Sequence, residues 1–425
     1  MPNQKAISIS KVLSFFNDIL YLSYKISGDG VMIYRLTNTI QEYTWGDKHS
    51  LSELLGLPNV AGRPQAELWM GAHPKSPSMI FKGTEKISLD KFISRSPMSS
   101  LGEYTKNKFG KLPFLFKVLA AGEPLSIQAH PNLIQAKSGF ARENKENIAI
   151  DAFNRSYKDD NHKPEIICAL TSFQAMNGFR PIEQIVANLK LINDKFLNNL
   201  VNILQDQSNP RGLKIFFESI MRCGKEEKLN ILSNTCRMAR NIHDSTFEWV
   251  LKLNKQYPDD IGAICPLFLN MITLKPGEAM FLEAGKLHSY LHGVGIELMA
   301  NSDNVLRGGL TPKFVDIDEL IKILTFEVSI VHIVKPKGFL TEKFFPDFVD
   351  EFSLSYIEVL ESASYEMEQN RKPSLLLCTH GSGKIYDGEE YMNIEKGQSF
   401  FIPADQLVIK ISGLCQIYRA TVADA

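Results

Sequence analysis

The chain of 425 residues lacks any CxxC pair, and its six cysteines (Cys168, Cys223, Cys236, Cys265, Cys378 and Cys415) lie far apart without regular spacing. That argues against a disulfide framework and against a thiolate zinc site, and it fits reduced, mostly buried thiols in a cytoplasmic protein. Any bound metal must then be held by imidazole, carboxylate or amide oxygen. An excess of one charge is also missing: 47 basic residues face 48 acidic ones, for a formal net charge of −1. Without a basic surplus the main source of affinity for nucleic acid is lost, so no nucleic-acid partner is expected. Long apolar runs are scarce. The uncharged stretch 261–274 has 14 residues and contains Pro266, too short for a bilayer-spanning helix, so no membrane partner is expected. Heptads, low-complexity tracts and charge blocks are absent as well.

What is present is ordinary globular material, 44% hydrophobic and 22% charged, with length enough for about three domains. Residues 1–31 stand apart. Val12, Phe15, Phe16, Ile19 and Leu22 have helical spacing and predict a short amphipathic helix. Asn17 and Asp18 interrupt the run a secretory signal would need. Met32 is the expected functional start, with the extension dispensable or poorly ordered. From residue 32 to 179, short apolar runs at 33–36, 78–81, 114–118, 125–128 and 166–170 alternate with turn signals and predict an all-β sandwich or barrel. One helix is expected within it, over residues 132–149. Across 180–266 the period changes to about 3.6 residues. Five amphipathic stretches begin near Ile182, Phe196, Ile215, Leu229 and Phe247, punctuated by Pro210, Gly224 and Pro258. Strand patterning resumes at Phe268, so a helical domain is inserted between two parts of one β-domain, 32–179 and 267–325. Residues 326–425 read as a second β-barrel with runs at 328–334, 354–359, 375–378, 399–402 and 407–411. The expected fold class is mainly β with an inserted α domain, two jelly-roll barrels and a helical domain.

Three segments carry candidate chemistry. Leu125-Ser-Ile-Gln-Ala-His130 alternates like a strand and puts Gln128 and His130 on one face. His162-Lys-Pro-Glu165 runs into another strand, with Lys163 and Glu165 on a common face if extended and Pro164 marking an edge or entry point. Gly277-Glu-Ala-Met-Phe-Leu-Glu-Ala-Gly-Lys-Leu-His288 is a glycine, a strand, a turn glycine and a histidine, the pattern of a second cupin motif. Singly, each of these residues has an ordinary structural explanation. Together they supply two imidazoles, a carboxylate and an amide oxygen, a set able to hold a divalent metal with an open position. A fourth segment, Gly295 to Lys313, places Arg307 before two glycines, with Thr311 and Lys313 following, as a cationic loop able to cradle a phosphate. Glu297 and Asp303 in the same segment are candidate general bases.

Other signals fail. Gly293-x-Gly295 lacks its third glycine, Gly381-Ser-Gly-Lys384 lacks the first glycine and final hydroxyl of a phosphate loop, and His288-x-x-x-His292 lacks the zincin glutamate. An internal repeat is informative instead. The segment from Gly397 to Val408 aligns by spacing with Gly277 to His288, with Pro403 at the Glu283 position, Asp405 at Gly285 and Val408 at His288. The second barrel is therefore expected to be metal-free.

Over residues 32–425 the chain resembles the type I phosphomannose isomerases of the cupin superfamily. The stretches that carry this are Tyr43-Thr-Trp-Gly46, Pro64-Gln-Ala-Glu-Leu-Trp-Met-Gly-Ala-His73, Leu125-Ser-Ile-Gln-Ala-His-Pro131, Asn161-His-Lys-Pro-Glu165, Leu287-His-Ser-Tyr-Leu291 and Asn301-Ser-Asp-Asn-Val-Leu-Arg307. The resemblance implies zinc, one per subunit with other divalent metals as substitutes, on Gln128, His130, Glu165 and His288. It implies that Arg307 is catalytic and that Lys163, His162, Glu297, Asp303 and Tyr290 line the site. It also implies substrate contacts from Ser126, Lys313 and Trp45. The activity it implies is interconversion of mannose 6-phosphate and fructose 6-phosphate by a monomeric cytoplasmic enzyme that feeds mannose-derived precursors such as GDP-mannose.

A metal and a base suit that reaction, which moves a proton between C2 and C1 through a cis-enediol. Glu297, Asp303 and His162 compete as the base. Two alternatives remain at this stage. A non-haem iron oxygenase would also use two histidines and a carboxylate, and a non-catalytic sugar-phosphate-binding cupin would bind without turnover.

Overall fold

The computed structural model describes residues 33–338 and 341–424, so the expected N-terminal helix and the start at Met32 lie outside the described residues. Antiparallel strands dominate. Seven of them follow one another across the first sheet: Ile333–Val334, Ala279–Leu282, Glu165–Ala169, His288–Ala300, Phe114–Ala121, Glu67–Gly71 and Thr39–Gln41. Beside this row lie Ile127–Ala129, Phe173–Phe179, Leu269–Leu274 and Leu306–Gly309.

The long strand His288–Ala300 serves two groups of partners. Its later residues pair with Phe114–Ala121 on one side and Glu165–Ala169 on the other. Its first residues pair with Ile127–Ala129 and Phe173–Phe179. The register shifts between Tyr290 and His292, and Gly293 beside the shift has φ +122°. A Cβ there would come within 2.6 Å of the Ser172 carbonyl oxygen, so only glycine lets the strand bend at this point.

Phe173–Phe179 and Leu269–Leu274 pair with each other, so the chain leaves the sheet and returns to it at one place. Between them run helices Ile182–Lys190, Lys195–Asp206, Pro210–Arg222, Lys225–Ala239 and Ser245–Gln256, each overlapping one of the five amphipathic stretches. Three of their starts are fixed by side-chain caps: Asp194 accepts from the Leu197 amide at 3.0 Å and Asp244 from the Thr246 amide at 2.8 Å. Asn209 caps a helix opened by Pro210. The apolar faces bury Leu197, Leu200, Leu204, Phe216 and Phe217. Phe217 meets Phe179 edge-on at 5.7 Å, which ties the helices to the sheet. Truncating such a ring to Ala costs about 3–5 kcal/mol.

Within the first β-region the expected helix is Leu133–Lys145. Its capping box has Asn132 accepting from the Gln135 amide while Gln135 accepts from the Asn132 amide, both at 2.9 Å. Three further helices there, Ser50–Leu55, Leu89–Arg95 and Pro97–Phe109, were not expected. The last of these buries only Ser100, Leu101, Gly102 and Thr105 and is broken at Gly102, so it has no apolar stripe for periodicity to detect.

The C-terminal sheet orders Tyr34–Arg35, Ser399–Ile402, Ser374–Asp387, Val408–Thr421, Ser353–Val359 and Glu342–Phe344, with Ser364–Glu368 and Glu390–Glu395 attached. The run expected over 328–334 is a strand only at Ile333–Val334, and it pairs with Ala279–Leu282 of the first sheet. The internal repeat is visible in the backbone. Gly277 and Gly397 have φ +81° and +86°, a strand opens two residues after each, and the next strands open at His288 and Val408. The two sheets share one core, in which Phe352, Leu375, Phe401 and Tyr418 pack with Leu68, Phe116, Val118 and Ile166. No described helix is long and apolar enough to cross a membrane.

Candidate metal centre

His130, Glu165 and His288 meet in the first sheet. All three are buried, and one potential ligand atom from each lies within 4.8 Å of the others. Nε2 of His130 is 3.5 Å from Glu165 Oε1, and Nε2 of His288 is 3.9 Å from Oε2. Strand pairing brings the pieces together: His288 lies directly opposite Gln128, and Gln128 directly opposite Arg307. Residues facing each other across antiparallel strands rise from the same side, so Gln128 stands between His288 and Arg307 on that side.

The second ring nitrogens explain how the imidazoles are aimed. His130 Nδ1 lies 2.7 Å from the Asn304 carbonyl oxygen, and His288 Nδ1 lies 3.1 Å from that of Lys286. A carbonyl can only accept, so each Nδ1 carries the proton and each Nε2 presents a lone pair. Both Nε2 atoms are buried without a hydrogen-bond partner. Burial, together with nearby Lys163, pushes the His130 pKa well below its ordinary value, and burial lowers that of His288. Both rings are therefore neutral ligands in waiting. Burial opposes ionisation of Glu165, but the Lys163 ammonium 3.0 Å away, acting together with the two imidazoles and Lys117, holds the carboxyl below the usual range. Two unpaired imidazole nitrogens facing an ionised carboxylate fit a divalent cation of zinc type, with Gln128 beside them to offer an amide oxygen.

A second charged group lies along the same sheet. Lys117 and Glu297 are register partners and form an ion pair. Lys117 also lies 3.4 Å from Glu67, whose other oxygen accepts from the Trp69 indole at 2.7 Å. Burial disfavours the charge on Lys117, but Glu297, Glu67 and Glu165 together hold its pKa above the ordinary lysine value. The Glu297 carboxyl is raised by burial, with Lys117 working against the rise. Tyr290 lies 3.5 Å from Glu165 through its hydroxyl, and its pKa is raised by burial and by the charges of Glu297 and Glu165. Tyr290 and Glu297 have opposite parity along one strand, and the bulge after Tyr290 brings them to the same neighbourhood.

The other candidates take different positions. Asp303 is held by Lys75 at 2.9 Å and His73 at 3.7 Å. His162 turns its Nε2 to Glu351 at 2.6 Å. The Arg307 side chain makes no hydrogen bond or ion pair among the described residues, and burial alone lowers its pKa. Lys313 lies at the surface, and its pKa is lowered by partial desolvation, then by Arg307 and Lys75. The pKa of Lys158 is likewise lowered, by burial and by the charges of Lys75 and Arg307. Arg307 and Lys75 thus each disfavour the charge on both Lys158 and Lys313, which concentrates positive charge at the edge of the site. Trp45 packs against the cluster containing Tyr290 and stacks on Tyr43 at 5.7 Å. Ser126 is half-buried immediately before the strand that carries Gln128.

Lys117 and Asn304 escaped the sequence reading. Lys117 carried a signal, since it is the one charge in Phe114–Ala121, where all eight residues are buried, and a charge in such a strand needs a partner. Asn304 has no such mark. Fully buried, it bonds Lys158, Asp159 and Asn161 while its carbonyl aims His130.

The chain matches three family descriptions in order: phosphomannose isomerase type I, catalytic domain, over residues 33–182; the helical insertion domain of the same family over 188–269; and mannose-6-phosphate isomerase, cupin domain, over 341–422. It is 41% identical to the mannose-6-phosphate isomerase of Salmonella typhimurium, over 91% of this chain and 98% of that one. It is 40% identical to the mannose-6-phosphate isomerase of Homo sapiens, over 70% and 74%. A crystal structure of zinc-bound mannose 6-phosphate isomerase superposes with a TM-score of 0.88 at 39% identity, covering 93% of this chain and 100% of that chain. Sequence, architecture and the buried His–Glu–His group agree: the chain belongs to the type I phosphomannose isomerase family.

Proposed function

We propose that the protein is a zinc-dependent aldose–ketose isomerase that interconverts mannose 6-phosphate and fructose 6-phosphate. The observation that carries this reading is the pair of buried, unpartnered Nε2 atoms facing the Glu165 carboxylate, in a chain of this family. His130, Glu165, His288 and Gln128 would hold the ion, which when bound acts as a Lewis acid on substrate oxygens without redox change.

The remaining steps fall to the chain's own residues. Glu297 is buried, its pKa is raised, and it is the base we favour for moving the proton between C2 and C1. Asp303 and His162, the competing candidates, are paired with Lys75 and Glu351 and are 28% and 22% exposed, whereas Glu297 lies buried beside Lys117. Lys117 and Lys163 face the carboxylates of the site as ammonium groups and would oppose the negative charge that develops on the enediol oxygens. Arg307 and Lys313 would take the phosphate, with Lys75 and Lys158 adding positive charge nearby. Ser126, Tyr290 and Trp45 would line the sugar.

We also infer a monomer working in the cytoplasm; the six free cysteines support the compartment. The test is to incubate the purified protein with mannose 6-phosphate and follow fructose 6-phosphate by a coupled assay. Formation that a chelator abolishes is expected, and no formation with a zinc-replete sample contradicts the reading.

A further inference from the structure

The segment that delivers Lys163 and Glu165 is gripped from two sides. On one side the turn 300–304 holds it. Asn161 donates to the Asn301 carbonyl at 3.1 Å, its own carbonyl accepts from Asn304 at 2.9 Å, and Ala300 donates to Pro164 at 3.1 Å. On the other side the grip comes from the C-terminal sheet. Glu351 lies in the connector between the strands Glu342–Phe344 and Ser353–Val359, and its carboxylate accepts from His162 Nε2 at 2.6 Å. The two side chains are 14% and 22% exposed, so this charge-assisted bond is largely sheltered from water.

The connector is itself anchored on the first sheet. Phe345 and Phe352 are buried in the shared core, and Phe348 stacks on Phe281 with ring centroids 4.4 Å apart. Phe281 is the register partner of Ile166, the residue after Glu165. Asp350, next to Glu351, pairs with Lys108 at 2.7 Å on a more exposed face.

We propose that Glu351 is a positioning residue of the isomerase site. Through His162, the second sheet fixes the segment that carries Lys163 and the metal ligand Glu165. This rests on the isomerase reading given above. His162 is three residues from Glu165, about 10 Å of extended chain, and a displacement of an ångström at a reacting centre costs up to about a hundredfold in rate. The C-terminal barrel thereby acquires a role in turnover without contributing a ligand.

The test compares Glu351→Ala, Glu351→Asp, Glu351→Gln and Asp350→Ala by kcat and KM for mannose 6-phosphate, zinc content and Tm. Glu351→Ala should lower kcat on the order of tenfold, with a smaller change in KM. Glu351→Asp, whose carboxylate falls short of His162, should show a partial loss and serves if the Ala variant does not fold. Glu351→Gln keeps an accepting oxygen and should recover most of the rate. Asp350→Ala should leave the kinetics unchanged while shifting Tm by a similar amount. The double variant His162→Ala/Glu351→Ala should be no slower than His162→Ala. Kinetics alike for Glu351→Ala and Asp350→Ala, or multiplying losses in the double variant, would overturn the proposal. A wild-type protein without isomerase activity would overturn the isomerase reading as well, whereas an active wild type with an unimpaired Glu351→Ala overturns this inference alone.

Discussion

Gln128 and His288 face each other across adjacent antiparallel strands, so an amide and an imidazole rise together from one side of the sheet. His130, two residues beyond Gln128, and Glu165, from a third segment, complete the group. The centre depends on strand register, which sequence separation conceals.

Removal of a ligand should empty the centre. Glu165→Ala or His288→Ala should abolish zinc retention, measured by elemental analysis after dialysis, and bring isomerase activity to background. Glu165→Ala also leaves the Lys163 ammonium without its carboxylate partner at 3.0 Å. Full activity in a metal-stripped Glu165→Ala protein would refute the zinc reading.

Arg307 should behave differently. It faces Gln128 across the strands and has no ion-pair partner among the described residues. Arg307→Ala should therefore cost about a hundredfold in kcat/KM, or ~2.7 kcal/mol of transition-state stabilisation, with zinc content near normal. Loss of zinc in this variant would place Arg307 among the groups that build the centre instead.

Asn304 couples the turn to His130. Its side chain ties Asp159 and Asn161 while its carbonyl accepts from the imidazole. Asn304→Ala should weaken zinc affinity about 10- to 100-fold, measured by chelator competition. Unchanged affinity would show that the carbonyl stays in place without the side-chain network.

The raised Glu297 carboxyl predicts the pH behaviour. Burial lifts its pKa above the ordinary 4.5 and Lys117 restrains the rise. If Glu297 is the base, the acid limb of kcat/KM lies above 4.5. In Lys117→Met the restraint is gone, so the residual activity should show that limb at still higher pH. Stability has a matching sign. A carboxyl whose folded pKa is raised binds its proton more tightly folded than unfolded, so its contribution to stability falls as pH rises from the unfolded value through the folded one. Glu297→Gln should flatten that part of the stability–pH curve. An acid limb that does not move in Lys117→Met would remove Glu297 from the role of base.

Much of this was legible because local pattern and tertiary outcome agree. The helices from Ile182 to Gln256 carry periodic faces, and three of them begin at side-chain caps. The turn at Gly285, with φ +74°, announces His288. The i, i+2 relation puts Gln128 beside His130. What escaped depends on contacts between distant segments. Lys117 finds Glu67 and Glu297 only once three strands are aligned. Asn304 acts through its backbone carbonyl, to which residue type gives no clue. Glu351 is 189 positions from His162, in a connector without a motif. The strand expected over 328–334 shrank to two residues because its apolar run serves the first sheet's edge and an isolated bridge from Val328 to Phe179.

The central claim is that isomerisation depends on one ion held by His130, Glu165, His288 and Gln128. The most direct measurement is a titration of zinc into chelator-stripped protein, reading fructose 6-phosphate formation against bound metal. No turnover is expected at the start, followed by a rise in proportion to bound zinc that levels off at about one equivalent per chain. Undiminished turnover in the stripped protein would contradict it.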